Sequence, residues 1–222
     1  MIRAVLFDVG GVITASPFDA FNRYEMELGI PKGSISGVIR QNAGANAWAR
    51  YERGELDLDA FALQFEAEAL RAGLTLDARA CAKIIRGGIR SEMVDAIRSV
   101  RAHGLLVGLL TNDFPGGPAV GANGRSLDLG GAIIEVDAIL ESSRLGYRKP
   151  ERRFYELGCE ALAVAPQEAV FLDDLGTNLK PAREMGMTTI KVEDPERALE
   201  ALSDVLGFSV TDPQPLDQRS VM

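Results

Sequence analysis

One histidine, His103, and two widely spaced cysteines, Cys81 and Cys159, leave this chain almost without imidazole or thiolate ligands. Ser-His-Asp catalysis and multi-histidine or cysteine-rich metal sites therefore have too little material. The cysteines lie in helix-like contexts with no ligand spacing and no disulfide framework, so both read as small buried hydrophobes. Positive charge is also in deficit: 24 basic against 32 acidic residues give a net charge of −8. Nucleic acid and anionic membrane surfaces would not be drawn to such a chain, and neither is expected as a partner. No apolar run approaches the ~20 residues that cross a bilayer. The opening MIRAVLFDVGGVI puts an Asp in a short apolar run and has no cleavage-site pattern, so it reads as a buried strand and not a signal peptide. A soluble cytoplasmic protein is the expectation. No repeat period and no coiled-coil heptads are visible, and oligomeric state is not legible.

Hydrophobic residues, at 46% of 222, can fill the core of one α/β domain with a smaller second unit. Four apolar runs read as strands covered on both faces: residues 3–7 (RAVLF), 105–110 (LLVGLL), 169–172 (AVFL) and 188–192 (TTIKV). A weaker fifth lies at 138–140. Helical spacing occupies intervals between them, at Met93/Ile97/Val100 before Gly104, at Phe154/Leu157/Ala161 and at Leu199/Leu202/Val205. Such alternation implies βαβ units and the α/β class, with a doubly wound parallel (Rossmann-like) sheet.

Residues 16–89 break that rhythm. They offer helical stripes, Phe18/Phe21/Tyr24/Leu28 and Phe61/Phe65/Ala69, but no strand. The expected organisation is a core of residues 1–15 and 90–208, an inserted helical cap at 16–89, and a flexible tail at 209–222. An insertion after a strand's carboxyl end lies over the crevice where such sheets bind ligands. Residues 114–131 (FPGGPAVGANGRSLDLGG) read as a flexible loop and lack the Lys-Ser/Thr ending of a P-loop.

Chemistry gathers at strand ends. Asp8 follows RAVLF, where a carboxylate is costly unless paired or metal-bound, and Gly10 and Gly11 suit a tight turn. Taken alone, Asp8 is also compatible with a turn cap. Thr111-Asn112 after LLVGLL offers a hydroxyl and an amide to an oxyanion, although Thr-Asn-Asp is ordinary turn chemistry as well. Asp173 and Asp174 end another strand and repel one another unless a cation is present, which favours magnesium over a helix N-terminal acidic pair. Lys149, in Arg148-Lys149-Pro150 before a new helix, could balance carboxylates that converge on one pocket. Trp48 and Tyr51 read as packing residues.

The order of these elements resembles the haloacid dehalogenase-like hydrolase superfamily. The likeness covers the chain to about residue 208 and is most specific over LESSRLGYRKPERRFYELGCEAL and FLDDLGTNLKPAREMGMTTIKVEDPERALEAL. These stretches look like the amino-terminal phosphatase domain of soluble epoxide hydrolase and its bacterial relatives, without implying epoxide opening. The resemblance implies a phosphatase acting on a small phosphorylated molecule, with Mg as cofactor. Asp8 then matches the nucleophile, Thr111 and Asn112 the substrate-binding pair, and Lys149 the cation that steadies nucleophile and transferring group. Asp8, the Gly10 carbonyl and Asp173 match the metal ligands, and Asp174 their close catalytic supporter. Phosphatases of this kind usually carry a general acid where this chain has Gly10, a role worth about 10² to 10⁴-fold. Asp19 and Tyr51 are the substitutes to consider in the cap. The rival readings are a 2-haloacid dehalogenase, which needs no metal and no paired late Asp, and a non-catalytic binding member.

Overall fold

A computed structural model describes residues 1–84, 87–117, 119–121, 124–130 and 132–211. The chain enters through β1 (Ala4–Phe7) and leaves the sheet for five helices: α1 (Pro17–Leu28), α2 (Ser34–Arg40), α3 (Ala47–Glu52), α4 (Leu58–Arg71) and α5 (Ala78–Ile84). It returns through α6 (Ser91–Ala102) to β2 (Leu106–Thr111). Three short strands follow, β3 (Ala119–Val120), β4 (Ser126–Asp128) and β5 (Ile133–Glu135), then β6 (Ala138–Glu141). The remainder alternates as α7 (Ser142–Leu145), α8 (Arg152–Leu162), β7 (Ala169–Asp173), α9 (Gly176–Glu184), β8 (Thr188–Lys191) and α10 (Pro195–Leu206).

Five strands form one parallel sheet in the order β6-β2-β1-β7-β8. This is the Rossmann-type α/β arrangement anticipated from the apolar runs. Every residue of β1 is buried, because its two faces are both covered. Val5 and Phe7 join one core cluster with Met93, Ile97, Leu199 and Leu202 of α6 and α10. Ala4 and Leu6 join the other, with Phe154, Tyr155 and Leu179 of α8 and α9. The two periods, 2 in the strands and 3.6 in the helices, are thereby matched face to face.

The helices α1 to α5 have their own core. Phe21, Ile35, Trp48, Tyr51, Phe61 and Phe65 are all buried together there. Tyr51 stacks on Phe61 with centroids 4.3 Å apart, and on Phe114 from the β2 side at 4.7 Å. Cys81 is buried in this cluster and Cys159 in the sheet core. Among the described residues, no helix is long and apolar enough to cross a membrane.

Several sequence expectations need correction. Part of the segment read as a flexible glycine-rich loop is strand: β3 and β4 fall within it and join β5, just beyond it, in a three-stranded antiparallel sheet. Leu127 and Ile134 point inward and pack on the main core, while Ser126 and Asp128 flank Leu127. Alternation over only three residues is too short to stand out from loop composition. On α8 the buried face runs through Phe154, Tyr155, Gly158, Cys159 and Leu162, and Ala161 is exposed. Leu28 and Val205, the last members of two other expected stripes, are also exposed at their helix ends. Val210, placed in a flexible tail, is 1% exposed, and its N–H donates to Ser203 Oγ at 3.1 Å. Residues 212–222 of that tail lie outside the described residues.

Candidate active site

β1 sits between β2 and β7, so the residues that end these strands emerge side by side. From β1 the sheet grows one way through β2 and the other way through β7, and ligands of such sheets bind at that switch point. Asp8, Thr111 and Asp173 are delivered there. Gly11, at φ +84°, turns the chain away after β1, and Arg90 fastens this turn by donating to the Gly11 carbonyl.

Lys149 is the centre of the cluster. Its side chain is 1% exposed, and Nζ lies 2.7 Å from Asp8 Oδ1 and 2.8 Å from Asp173 Oδ2. It also stands 5.6 Å from the centroid of the Phe171 ring. The Lys149–Pro150 peptide is cis. Asn112 brackets the lysine's main chain: Oδ1 accepts from Lys149 N at 2.8 Å, and Nδ2 donates to Lys149 O at 3.0 Å. The amide expected to face an oxyanion thus holds the Lys149 main chain while Asn112 also lines the cavity. Thr111 is half-buried on the wall of a cavity of about 660 Å³ that also meets Gly10, Tyr51, Leu58, Lys83 and Phe114.

The two carboxylates of the acidic pair stand in different surroundings. Asp173 is fully buried, and its oxygens are taken up by Lys149 Nζ, by Leu175 N at 2.8 Å and by Asn178 Nδ2 at 3.0 and 3.1 Å. A carboxylate has about four lone-pair positions, so little remains for a metal. Asp174 takes one long side-chain bond, from Ser16 Oγ at 3.4 Å. Its carboxylate occupies the space that a Cβ on Gly11 would fill, only 2.2 Å from Oδ2. Asp8 Oδ1 accepts from Val9 N and Lys149, while Asp8 Oδ2 accepts no hydrogen bond among the described residues. Asp8 and Asp174 are therefore the carboxylates with oxygens to spare.

Burial pushes the Asp8 carboxyl well above its ordinary range, with Lys149 pulling the other way and Asp173 adding to the rise. Asp174 is pushed up to about 6, first by burial and then by Asp173. Burial alone would lower Lys149, but Asp173 and Asp8 outweigh it and hold the ammonium above its usual value. Three carboxylates thus share one ammonium, and they bring oxygens within 4.8 Å of one another. An all-oxygen donor set with surplus negative charge fits a hard divalent cation such as magnesium.

Two further residues shape the site without having been singled out from sequence. Asn178, within FLDDLGTN, holds both oxygens of Asp173, and Tyr155 Oη fixes the Asn178 carbonyl at 2.7 Å. Its place on the first turn of α9, just past the acidic pair, was the available signal. Glu52 of α3 is 7% exposed and meets Arg148, Asn112 and Trp48. Nothing in its local sequence marks it. Asp19 is exposed and does not line the cavity, whereas Tyr51 does.

Comparison with known proteins matches residues 2–186 to the family model described as haloacid dehalogenase-like hydrolase. The mouse protein "Acyl-CoA dehydrogenase family member 10" is 33% identical over 93% of this chain, and pig "Bifunctional epoxide hydrolase 2" is 30% identical over 94%. The chain spans only 19% and 40% of the lengths of these two relatives. "Phosphatase MT3486" of Mycobacterium tuberculosis is 28% identical over 86% of this chain and 88% of its own length. Among solved structures, a predicted HAD-like family hydrolase from Porphyromonas gingivalis superposes with a TM-score of 0.65. It is 23% identical and covers 93% of this chain and 98% of its own. The L-2-haloacid dehalogenase of Xanthobacter autotrophicus reaches 0.57 at 21% identity, covering 97% and 86%. These two likenesses concern the fold alone.

Proposed function

This chain belongs to the haloacid dehalogenase-like hydrolase family and is a hydrolase; from that premise we propose that it is a magnesium-dependent phosphatase, using Asp8 as nucleophile on a small phosphorylated substrate. The observation that carries the reading is the convergence of Asp8, Asp173 and Asp174 around the single buried Lys149. Displacement of halide from carbon has no need of that third carboxylate. The mycobacterial relative named as a phosphatase, matched along most of its length, supports the same choice.

In this mechanism Asp8 Oδ2 attacks phosphorus, and the bond to the leaving oxygen breaks. Asp8 Oδ1 stays anchored by Val9 N and Lys149, which aims the free oxygen. The Lys149 ammonium lies where charge gathers on the transferring group, and the Thr111 hydroxyl on the cavity wall is the donor for a phosphoryl oxygen. Water then attacks the aspartyl phosphate, releasing inorganic phosphate and restoring the Asp8 carboxylate. Asp8, the Gly10 carbonyl and Asp174 would hold magnesium, which when bound supplies positive charge to the phosphoryl oxygens. Asp173 instead holds Lys149. This exchanges the parts first expected of the two aspartates, because the oxygens of Asp173 are already engaged.

Residues 16–89 act as the cap in this reading. Tyr51, Leu58 and Lys83 share the cavity wall with Gly10 and Thr111, so a leaving group would lie against them. Gly10 offers no side chain for protonation, and of the two cap residues considered only Tyr51 is on the wall. Hydrolysis of p-nitrophenyl phosphate with and without magnesium tests the proposal. Turnover that disappears in EDTA and returns with magnesium is expected. Full activity in EDTA refutes it, and metal binding without turnover on any phosphate ester leaves a non-catalytic member.

A further inference from the structure

Glu52 is a buried carboxylate outside the sheet, yet its bonds lead to the catalytic lysine. Oε1 accepts from Trp48 Nε1 at 2.9 Å. Oε2 accepts from Arg148 Nε and, at 3.4 Å, from Asn112 Nδ2. The Glu52 carbonyl accepts from Ser142 Oγ at 2.6 Å, which seats the end of α3 on the core. Gly54, two residues on, approaches so closely that a Cβ would lie 2.2 Å from the Ser143 carbonyl oxygen.

A carboxylate only accepts. Glu52 therefore requires the Asn112 amide to point Nδ2 toward it, and this leaves Oδ1 to take the Lys149 N–H. Arg148, immediately before Lys149, is gripped by the same Glu52 oxygen, and its Nη1 reaches the Ala43 carbonyl at 3.1 Å. Residues 148 and 149 are thus both tied to one carboxylate, Arg148 through its guanidinium and Lys149 through the Asn112 amide. A lysine ammonium rides on a flexible four-carbon stem, so its aim depends on where its backbone is held.

We infer that Glu52 is a positioning residue that fixes Lys149 against Asp8 and Asp173, through Arg148 on one side and Asn112 on the other. This rests on the role of Lys149 in the proposed phosphatase. Glu52 makes no bond to Asp8 and does not itself line the cavity, which it meets only through its partner Asn112; it acts through the lysine's backbone.

The test joins kinetics with hydrogen exchange, which needs no activity. Glu52→Ala should lower kcat on p-nitrophenyl phosphate by about 10- to 100-fold, the scale of a misplaced catalytic group. KM should move by less than roughly threefold, because the group lost serves the transition state. Amide exchange in the peptide spanning 148–151 should quicken, while peptides from β1 and β7 keep their rates. Glu52→Gln, which retains one acceptor oxygen, should recover part of kcat. Arg148→Met should reproduce part of the loss, and the double variant should lose less than the product of the two singles. Unchanged kcat and unchanged exchange at 148–151 in Glu52→Ala, or no effect of Arg148→Met on either, overturn the inference even if Tm falls. The phosphatase reading fails separately: an inactive wild type sinks that reading, while the exchange measurement still decides whether Glu52 fixes residues 148–151.

Discussion

Two regions of this molecule bury carboxylates, and they treat the charge in opposite ways. At the carboxyl ends of the interior strands β1 and β7, Asp8, Asp173 and Asp174 share one ammonium, and oxygens of Asp8 and Asp174 remain available. Beneath α3, Glu52 faces one guanidinium and is further satisfied by Trp48 and Asn112. The first region carries surplus negative charge in a dry setting, an arrangement that a cation and a phosphoryl group stabilise. The second is closed and neutral, and it serves geometry. In the proposed function chemistry and positioning are thus separated between sheet and helices, and the variants of the sheet side should carry the larger effects.

The largest effect is expected from Lys149→Met. Removing the one ammonium leaves Asp8 and Asp173 buried without their partner, a loss of about 3–5 kcal/mol. Chemical denaturation should read that destabilisation, with magnesium restoring part of it, and turnover should fall below detection. A folded Lys149→Met enzyme with near-normal kcat would break the comparison at its centre.

Gly11→Ala comes next. The position has φ +84°, and the new methyl would meet Asp174 Oδ2 at 2.2 Å, so strain and displacement of Asp174 combine. Magnesium affinity should drop about tenfold or more, with the sheet intact by circular dichroism. The same substitution at Gly10 is a different matter. There φ is unrestrictive, and a Cβ would meet only the Pro17 ring, Cγ at 3.4 Å and Cδ at 3.6 Å, ordinary contacts. Gly10→Asp should therefore fold normally and speed alkyl phosphates selectively over aryl phosphates, by at most ~10² to 10⁴-fold. Equal acceleration of both classes would show that leaving-group protonation is not what Gly10 lacks.

A smaller effect concerns pH. Asp174 is raised from 3.8 to about 6, mainly by burial, so the folded metal-free protein holds that proton more tightly than the unfolded chain does. The stability contributed is complete below about pH 4 and is lost as pH rises through about 6. In EDTA the thermal midpoint should fall over that window, and Asp174→Asn should flatten the curve by the share belonging to this group. Magnesium should raise the wild-type midpoint more at pH 7 than at pH 5. The opposite ordering would mean that Asp174 is not a ligand.

The sheet and the charged cluster were legible in sequence because their signals are local. A run such as AVFL followed by two aspartates states both a doubly covered strand and a charge problem at its end. Which aspartate does what was not legible, since the answer lies in bonds from Leu175, Asn178 and distant Lys149 to Asp173. The strands β4 and β5 were hidden by their length of three residues and by surrounding glycines that in fact punctuate turns, as at Gly130 with φ +83°. Asn112 was read as an anion binder because it follows Thr111 at the end of a buried strand; it does line the cavity, but its bonds to the Lys149 N–H and C=O, 37 residues away, have no local signal. Glu52 was invisible for a simpler reason. It meets Arg148 across 96 residues of chain, and no periodicity encodes that pairing.

The most direct test of Asp8 as nucleophile is binding of beryllofluoride in the presence of magnesium, followed by fluorine NMR. Wild-type protein should form a stable adduct and lose hydrolytic activity in step with it, while Asp8→Asn should form none and show no turnover. An adduct of equal stability on Asp8→Asn, or turnover by that variant at the wild-type rate, would contradict the account.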